Sequence, residues 1–356
     1  MANPFRLGII EGFFGRPWTW DERRTVVETL APHGYQFYHY APKADPFLRR
    51  RWTETHPLEE ASQIKSFANF CRDMGVGFGV GLSPYEAFND FNGASRDSLI
   101  QRVEDLVSLD IAELGIFFDD MRAAVPDLAE RQIEITHLAR ETAPQLRLNI
   151  TPSFYSDDPV LERVFGNCPP DYLANLGTGL HPDIDIYWTG EEVCAREISP
   201  GHLAKITKLL KRKPLLWDNY PVNDGPRMSQ YLHLRGFTGR PARNATFLAG
   251  HAINPASQPI LSCIPAITLA KSYQQGDAYC YGAEGYAASQ EVVGDALALM
   301  LRNDLLSFQD LGLSKLEARV DTLMARYGAV DHPGAREVVA WLAGAYAITG
   351  EQVQTQ

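Results

Sequence analysis

The stretch Leu114-Gly115-Ile116-Phe117-Phe118-Asp119-Asp120-Met121 passes from apolar to doubly acidic within one residue. It ends in an adjacent pair of carboxyls, the groups that serve for proton transfer and for stabilising charge. The apolar residues ahead of them read as a buried parallel strand that empties at its C-terminal end. That end is where α/β barrels keep their chemistry. Side chains of a strand alternate faces, so Asp119 and Asp120 converge on one substrate only if the strand breaks there and re-aims the second. Met121-Arg122-Ala123-Ala124-Val125-Pro126 has little strand character and permits the break. The plainer alternative is that Asp119 caps the next helix or pairs with a surface arginine.

Seven further segments must position such a pair. Strand-like runs are expected at Phe5 to Ile10, Gln36 to Tyr40, Val76 to Leu82, Leu114 to Phe118, Leu146 to Thr151, Ile184 to Trp188, Pro214 to Trp217 and Thr246 to Ala252. Amphipathic stretches such as Leu58 to Met74, Ser98 to Leu109 and Pro126 to Glu141 are long enough for crossover helices. Eight alternating units are the count at which a parallel sheet closes, so the expected fold is a (β/α)8 TIM barrel over residues 1–280. An open doubly wound sheet is second, because no glycine-rich nucleotide loop follows the first strand. From Gln290 to Phe308 and Lys315 to Ile348 the pattern is helical, so residues 281–356 are expected to form a small C-terminal all-helical region. It would pack on the barrel or on a second subunit, which leaves a homodimer open. Leu297, Met300, Leu301 and Leu305 recur at helical spacing as a core stripe.

Composition narrows the partners. The chain has 356 residues, 45% hydrophobic and 22% charged, with a formal net charge of -11. That charge argues against nucleic acid. No run of about 18 apolar residues would span a membrane. The N-terminus lacks a secretory pattern, so a cytoplasmic location is expected. Five dispersed cysteines without a Cys-x-x-Cys pair read as reduced and structural. No metal and no cofactor is expected, since of the nine histidines only His39 and His251 lie near the end of an expected strand.

The strand ends carry hydrogen-bonding groups beside rings: Trp18, Tyr40, Tyr155, Trp188 and Trp217 all fall there. Such a rim suits a ligand with apolar ring faces and many hydroxyls, as a sugar has. A second acidic pair, Asp157-Asp158, follows no strand directly and reads as a helix cap.

Five ordered blocks sharpen the assignment. Ile10-Glu11-Gly12-Phe13-Phe14-Gly15-Arg16-Pro17-Trp18, Tyr40-Ala41-Pro42-Lys43, Phe118-Asp119-Asp120, Trp188-Thr189-Gly190 and Trp217-Asp218-Asn219 with Asn223-Asp224 resemble family 84 glycoside hydrolases. These are the O-GlcNAcases and related β-N-acetylglucosaminidases, once called hyaluronidase-like, and the resemblance runs from about residue 7 to residue 273. It implies a retaining exo-hydrolase in which the sugar's own 2-acetamido oxygen attacks the anomeric carbon to give an oxazoline. By that pattern Asp119 orients and polarises the acetamide, and Asp120 is the acid that returns as base. Mutual charge between the two would raise one pKa and keep the acid protonated. The resemblance further implies substrate contacts from the backbone of Gly12, from Lys43 near the ring hydroxyls, and from Tyr155 at the acetamide oxygen. Trp217 would form a pocket wall, Asn219 would bond near the acetamide, Asp224 would accept from the O4 and O6 hydroxyls, and Asn254 would bind a further hydroxyl.

The sequence departs from the pattern at Ala44, where the familiar Ala-Pro-Lys-Asp-Asp loses one carboxylate near the mouth, and around Ser153-Phe154-Tyr155, where only spacing favours Tyr155 over Phe154. The expected substrate is terminal β-linked N-acetylglucosamine of glycoproteins or other glycoconjugates. The alternatives are free oligosaccharides such as hyaluronan or chitin fragments, a catalytically idle sugar-binding protein, or a metal-dependent deacetylase.

Overall fold

The structure is a computed structural model and describes residues 5–348. The expected ranges 1–280 and 281–356 each run at one end into residues outside those. Eight parallel strands close a barrel in chain order: β1 (Arg6–Glu11), β2 (Tyr35–Tyr40), β3 (Gly77–Leu82), β4 (Glu113–Phe117), β5 (Arg147–Thr151), β6 (Asp185–Trp188), β7 (Leu215–Asp218) and β8 (Gly250–Ile253). β1 pairs with β2 on one side and β8 on the other, so the sheet has no free edge. The helices between strands are α1 (Trp20–Leu30), α2 (Leu58–Asp73), α3 (Gly93–Val107), α4 (Leu128–Thr142), α5 (Val160–Phe165), α6 (Tyr172–Gly179) and α7 (Pro200–Leu209), with α8 (Pro259–Gln275) after β8. This is the (β/α)8 fold with C-terminal helices that the alternation predicts.

Strand periodicity decides which residues reach the site. Ile10, Phe37, Phe117, Tyr187, Leu215, Trp217 and Ala252, joined by Ala41 just beyond β2, form a separate buried cluster, the barrel interior. Their sequence neighbours, such as Ile9, Tyr38, Ile116 and Ile253, belong to the larger core between strands and helices. In β4, Glu113, Gly115 and Phe117 therefore share the inner face. Gly115 is there because the Phe117 ring fills the space: a Cβ on it would stand 2.3 Å from that ring.

Two elements differ from expectation, and a third, α8, has none. The eighth strand starts at Gly250, because residues 242–246 form a 3-10 turn whose Asn244 amide donates to the Ile198 carbonyl at 2.8 Å. α8 is buried on nearly all sides, so its sequence lacks the one-sided apolar stripe that marks a surface helix. The tail from Lys315 to Ile348 is two helices, α10 (Val320–Gly328) and α11 (Pro333–Leu342), split between Gly328 and Pro333, which ends one helix and starts the next. α9 (Tyr281–Leu306) precedes them and kinks at Gly294, φ +77°. Leu297 and Leu301 are buried in it, with Met300 and Leu305 packed against the core.

The tail lies on the barrel. Glu337 of α11 accepts the backbone N–H groups of Ile260 and Leu261 at 2.8 and 2.9 Å, so it caps the first turn of α8. Burial pushes the Glu337 carboxyl up to about 8, against those two donors. Trp341 Nε1 donates to the Ser229 carbonyl at 3.1 Å, which ties the tail to the loop after β7.

Behind the inner face, buried ion pairs lock the strands. Arg240 donates twice to Asp218, at 2.7 and 2.8 Å, and His251 of β8 lies 3.0 Å from the same carboxylate. Burial pushes the Asp218 carboxyl up, but the Arg240 charge outweighs it and holds the group at about 2. Arg240→Met would leave a buried, uncompensated carboxylate, and chemical denaturation should show a loss of about 3–5 kcal/mol.

Candidate active site

The pocket opens at the C-terminal ends of the strands. Its lining contains Gly12, Lys43, Asp119, Asp120, Tyr155, Trp217, Asn219, Asp224 and Asn254, so all nine residues singled out from the sequence come together. Most continue the inner-face rhythm: Gly12 follows Ile10 by two, Lys43 follows Ala41, Asp119 follows Phe117, Asn219 follows Trp217 and Asn254 follows Ala252. Asp120 does not. It should point outward, but β4 has ended at Phe117 and Asp120 takes a left-handed backbone, φ +55°, which turns its side chain to the pocket. Asp119 is too far from α4 to cap it; the N-cap position of α4 is Asp127.

Lys43 lies between the two carboxylates. Its Nζ donates to Asp119 Oδ2 and stands 3.1 Å from Asp120 Oδ2. The Tyr155 hydroxyl donates to Asp120 Oδ1 at 3.2 Å, and Arg49 donates to the Asp120 main-chain oxygen at 2.6 Å. The expectation of a raised carboxyl pKa from mutual repulsion is corrected for Asp120. Burial pushes it up, but the charges of Lys43 and Arg49 and the hydrogen bonds from Lys43 and Tyr155 bring it below its ordinary value. Asp119 keeps one oxygen, Oδ1, buried with no protein partner among the described residues, and Thr151 Oγ1 nearby is likewise unpaired.

The opposite wall is a hydrogen-bonded web. Asn219 Oδ1 accepts from Trp217 Nε1 at 3.0 Å and from Asn254 Nδ2 at 2.9 Å, while Asn219 Nδ2 donates to the Val193 carbonyl at 2.8 Å. Asn254 Oδ1 accepts from Gly12 N–H at 3.3 Å, so any backbone contact of Gly12 with a ligand falls to its carbonyl. Asp224 Oδ2 accepts from Phe14 N–H at 2.8 Å, which links the loops after β1 and β7. Phe117 and Tyr187 pack edge-on against Trp217 from below.

Of the five rings expected at the rim, only Tyr155 and Trp217 line the pocket. Tyr40 and Trp188 fall on the outer face, where they bond Asp45 and His202, and Trp18 is buried against Ser257. Phe154 packs outward on Tyr172, so of the two candidates Tyr155 is the one in the pocket. His39 is held by Tyr187 and Glu113 inside the barrel, and His251 by Asp218 and Tyr273 behind it. Asp158 Oδ1 accepts from Val160 N–H at the start of α5, while Asp157 pairs with Lys205 at 2.8 Å. Phe14, Thr151, Thr189, Val193 and Cys194 also line the pocket. Phe14 and Thr189 sat inside the recognised blocks; Val193 and Cys194 come from the β6 loop, whose path no local signal gives. Burial pushes the Cys194 thiol up to about 12, which disfavours the thiolate.

Comparison with known proteins bears on the chain as a whole. The model of the family described as beta-N-acetylglucosaminidase matches residues 7–305. Protein O-GlcNAcase of Mus musculus is 27% identical over 283 residues, and that of Rattus norvegicus 27% over 295. Each match covers 77% of this chain, but the chain spans only 30% of the length of either relative. An O-GlcNAc hydrolase mutant from Thermobaculum terrenum superimposes with a TM-score of 0.79 at 26% identity, covering 97% of this chain and 82% of that one.

Gly12 should tolerate no side chain, since a Cβ there would stand 2.3 Å from the Trp217 ring. Gly12→Ala is expected to displace Trp217 and shift the protein's tryptophan emission. The same substitution in a Trp217→Phe background should leave the emission of that background unchanged.

Proposed function

The chain belongs to the beta-N-acetylglucosaminidase family, and on that premise we propose that it is a retaining exo-β-N-acetylglucosaminidase working through the substrate's 2-acetamido group. Its substrate in this reading is N-acetylglucosamine linked to serine or threonine of glycoproteins, and residues up to about 280 form the catalytic barrel. The observation that carries the reading is the unpaired Asp119 Oδ1 beside Asp120. A buried carboxylate oxygen without a donor is costly until one arrives, and an acetamide N–H is such a donor.

With the acetamide bound there, Asp119 turns the amide oxygen toward the anomeric carbon and offsets the positive charge that grows as the oxazoline closes. The C1–O bond breaks as Asp120 gives its proton to the departing oxygen. Asp120 then takes a proton from the water that opens the oxazoline, which restores the acid and retains the configuration. Trp217 walls the ring, Asp224 accepts from O4 and O6, and Asn219, Asn254 and the Gly12 carbonyl hold the remaining polar groups.

Lys43 gives the cycle a proton switch. Lys43 bridges the two carboxylates across the pocket that the sugar would enter. In this reading substrate entry moves Lys43 off the carboxylate pair and toward the ring hydroxyls. Without that cation beside it, burial dominates Asp120 and its pKa rises, so the acid gains its proton in the complex that uses it. Arg49 remains on its backbone.

Two experiments test this. With an aryl β-N-acetylglucosaminide, Asp119→Asn should slow turnover by about 10²–10⁴-fold whatever the leaving phenol. Asp120→Asn should recover most of its loss when the phenol leaves readily. A wild type that binds the sugar without cleaving it would instead make the site a lectin. In pH profiles, kcat/KM reads the free protein and kcat the complex. The alkaline limb of kcat should thus lie at higher pH than that of kcat/KM. In Lys43→Met the two limbs should draw together, because the kcat/KM limb moves up; unequal limbs of unchanged spacing would refute the switch.

A further inference from the structure

Asp120 stands at the junction of two depressions. Phe14, Lys43 and Asp120 line both the sugar pocket and a wider cleft of about 760 Å³ that adds Arg49, Arg50, Tyr85, Glu86 and Arg122. These residues sit on the loops after β1, β2, β3 and β4, whereas the sugar pocket draws its far wall from β7 and β8. A proton donor must face the glycosidic oxygen, with the sugar on one side and the leaving group on the other. The sugar pocket takes the first side, so the cleft takes the second.

The cleft is cationic in a chain whose net charge is -11. Arg49, Arg50 and Arg122 make no ion pair with a carboxylate side chain among the described residues, and Glu86 is the one acid facing them besides Asp120. Ala44, where the resembling pattern carries an aspartate, lines the same cleft and adds no negative charge. Two of the arginines are held in place: Arg50 lies 4.6 Å above the Tyr85 ring, and Arg49 lies 5.5 Å from Tyr85 and 5.9 Å from Phe14. Arg49 Nε is buried and unpaired. Planar guanidiniums fixed on aromatic faces lose little entropy when they pair with carboxylates.

We infer that this cleft is an aglycone subsite for acidic peptide, selecting glycosylated serine or threonine flanked by aspartate or glutamate. The inference rests on Asp120 being the acid. Cations come from two separate loops, which calls for carboxylates at more than one position along the aglycone, as an acidic peptide offers. Arg50 and Arg122 are exposed and supply the long-range attraction; Arg49, bonded to the Asp120 main chain, supplies the contact nearest the scissile bond.

The test compares kcat/KM of the full chain on two O-GlcNAc peptides of one sequence, flanked either by Asp and Glu or by Asn and Gln. At low ionic strength the acidic peptide should be favoured by about tenfold, and about 1 M NaCl should bring the ratio near one. The double variant Arg50→Glu and Arg122→Glu should invert the preference. Each protein is its own control, since the ratio is read on one preparation, and the salt series stands without any variant. Equal kcat/KM for both peptides, with turnover intact, overturns the inference but leaves the hydrolase reading in place. So does faster release of N-acetylglucosamine from a glucuronate-linked disaccharide than from the acidic peptide, which would make the cleft a uronate site. If neither peptide nor an aryl glycoside is cleaved, the hydrolase reading itself fails.

Discussion

Two carboxylates set side by side in a buried pocket repel each other strongly, because neither the solvent nor the low-dielectric walls screen them well. Lys43 resolves that conflict by bridging Asp119 and Asp120 from the end of β2, two strands away in the barrel. The arrangement demands accuracy from the scaffold. Lys43 must emerge on the inner face of β2, Asp119 on the inner face of β4, and Asp120 must be turned back by a left-handed residue. A barrel closed without an edge supplies that accuracy, since no strand can slip by one residue without exchanging its inner and outer faces.

The inner face is held true by charges placed outside it. Glu11, the last residue of β1, is bound by Arg23 at 2.7 and 2.8 Å and by Tyr38, just before Gly12. Asp218, bound by Arg240, performs the same service between Trp217 and Asn219. In each case the pocket residue on one side is aimed by a salt bridge on the other, a consequence of the two-residue repeat. Of the buried side-chain atoms left unpaired among the described residues, Asp119 Oδ1 is the one that belongs to a carboxylate. Buried polar atoms without partners are rare in folded proteins and concentrate where a ligand completes them.

The helical tail also serves the site. α11 caps α8 through Glu337, and Trp341 and Ile348 both reach Ser229 in the loop that carries Asp224. Ile348 further packs within 3.0 Å of where a Cβ of Gly15 would be. The loops after β1 and β7 are thus buttressed from outside the barrel, and they are the two that Asp224 and Phe14 join.

The sequence alone determined the barrel, its strand order and the residues at its mouth. Eight apolar runs punctuated by polar stops and helical stretches admit few closed arrangements, and the blocks at Gly12, Lys43, Asp119, Asp120, Trp217, Asn219 and Asp224 are local strings. Inner or outer facing was also latent in the two-residue rhythm, which separates Trp217 in the pocket from Tyr40 and Trp188 behind it. Only the tertiary structure decided what the charges do to one another. The Asp120 carboxyl looked raised from its neighbour in sequence, yet Lys43 and Arg49, more than 70 residues away along the chain, lower it. Val193 and Cys194 enter the lining, and Arg49, Arg50 and Arg122 gather at one mouth, by way of loops whose paths depend on packing against other loops. Backbone periodicity is a local property and can be read along the chain; electrostatics and loop paths are set by what meets across space.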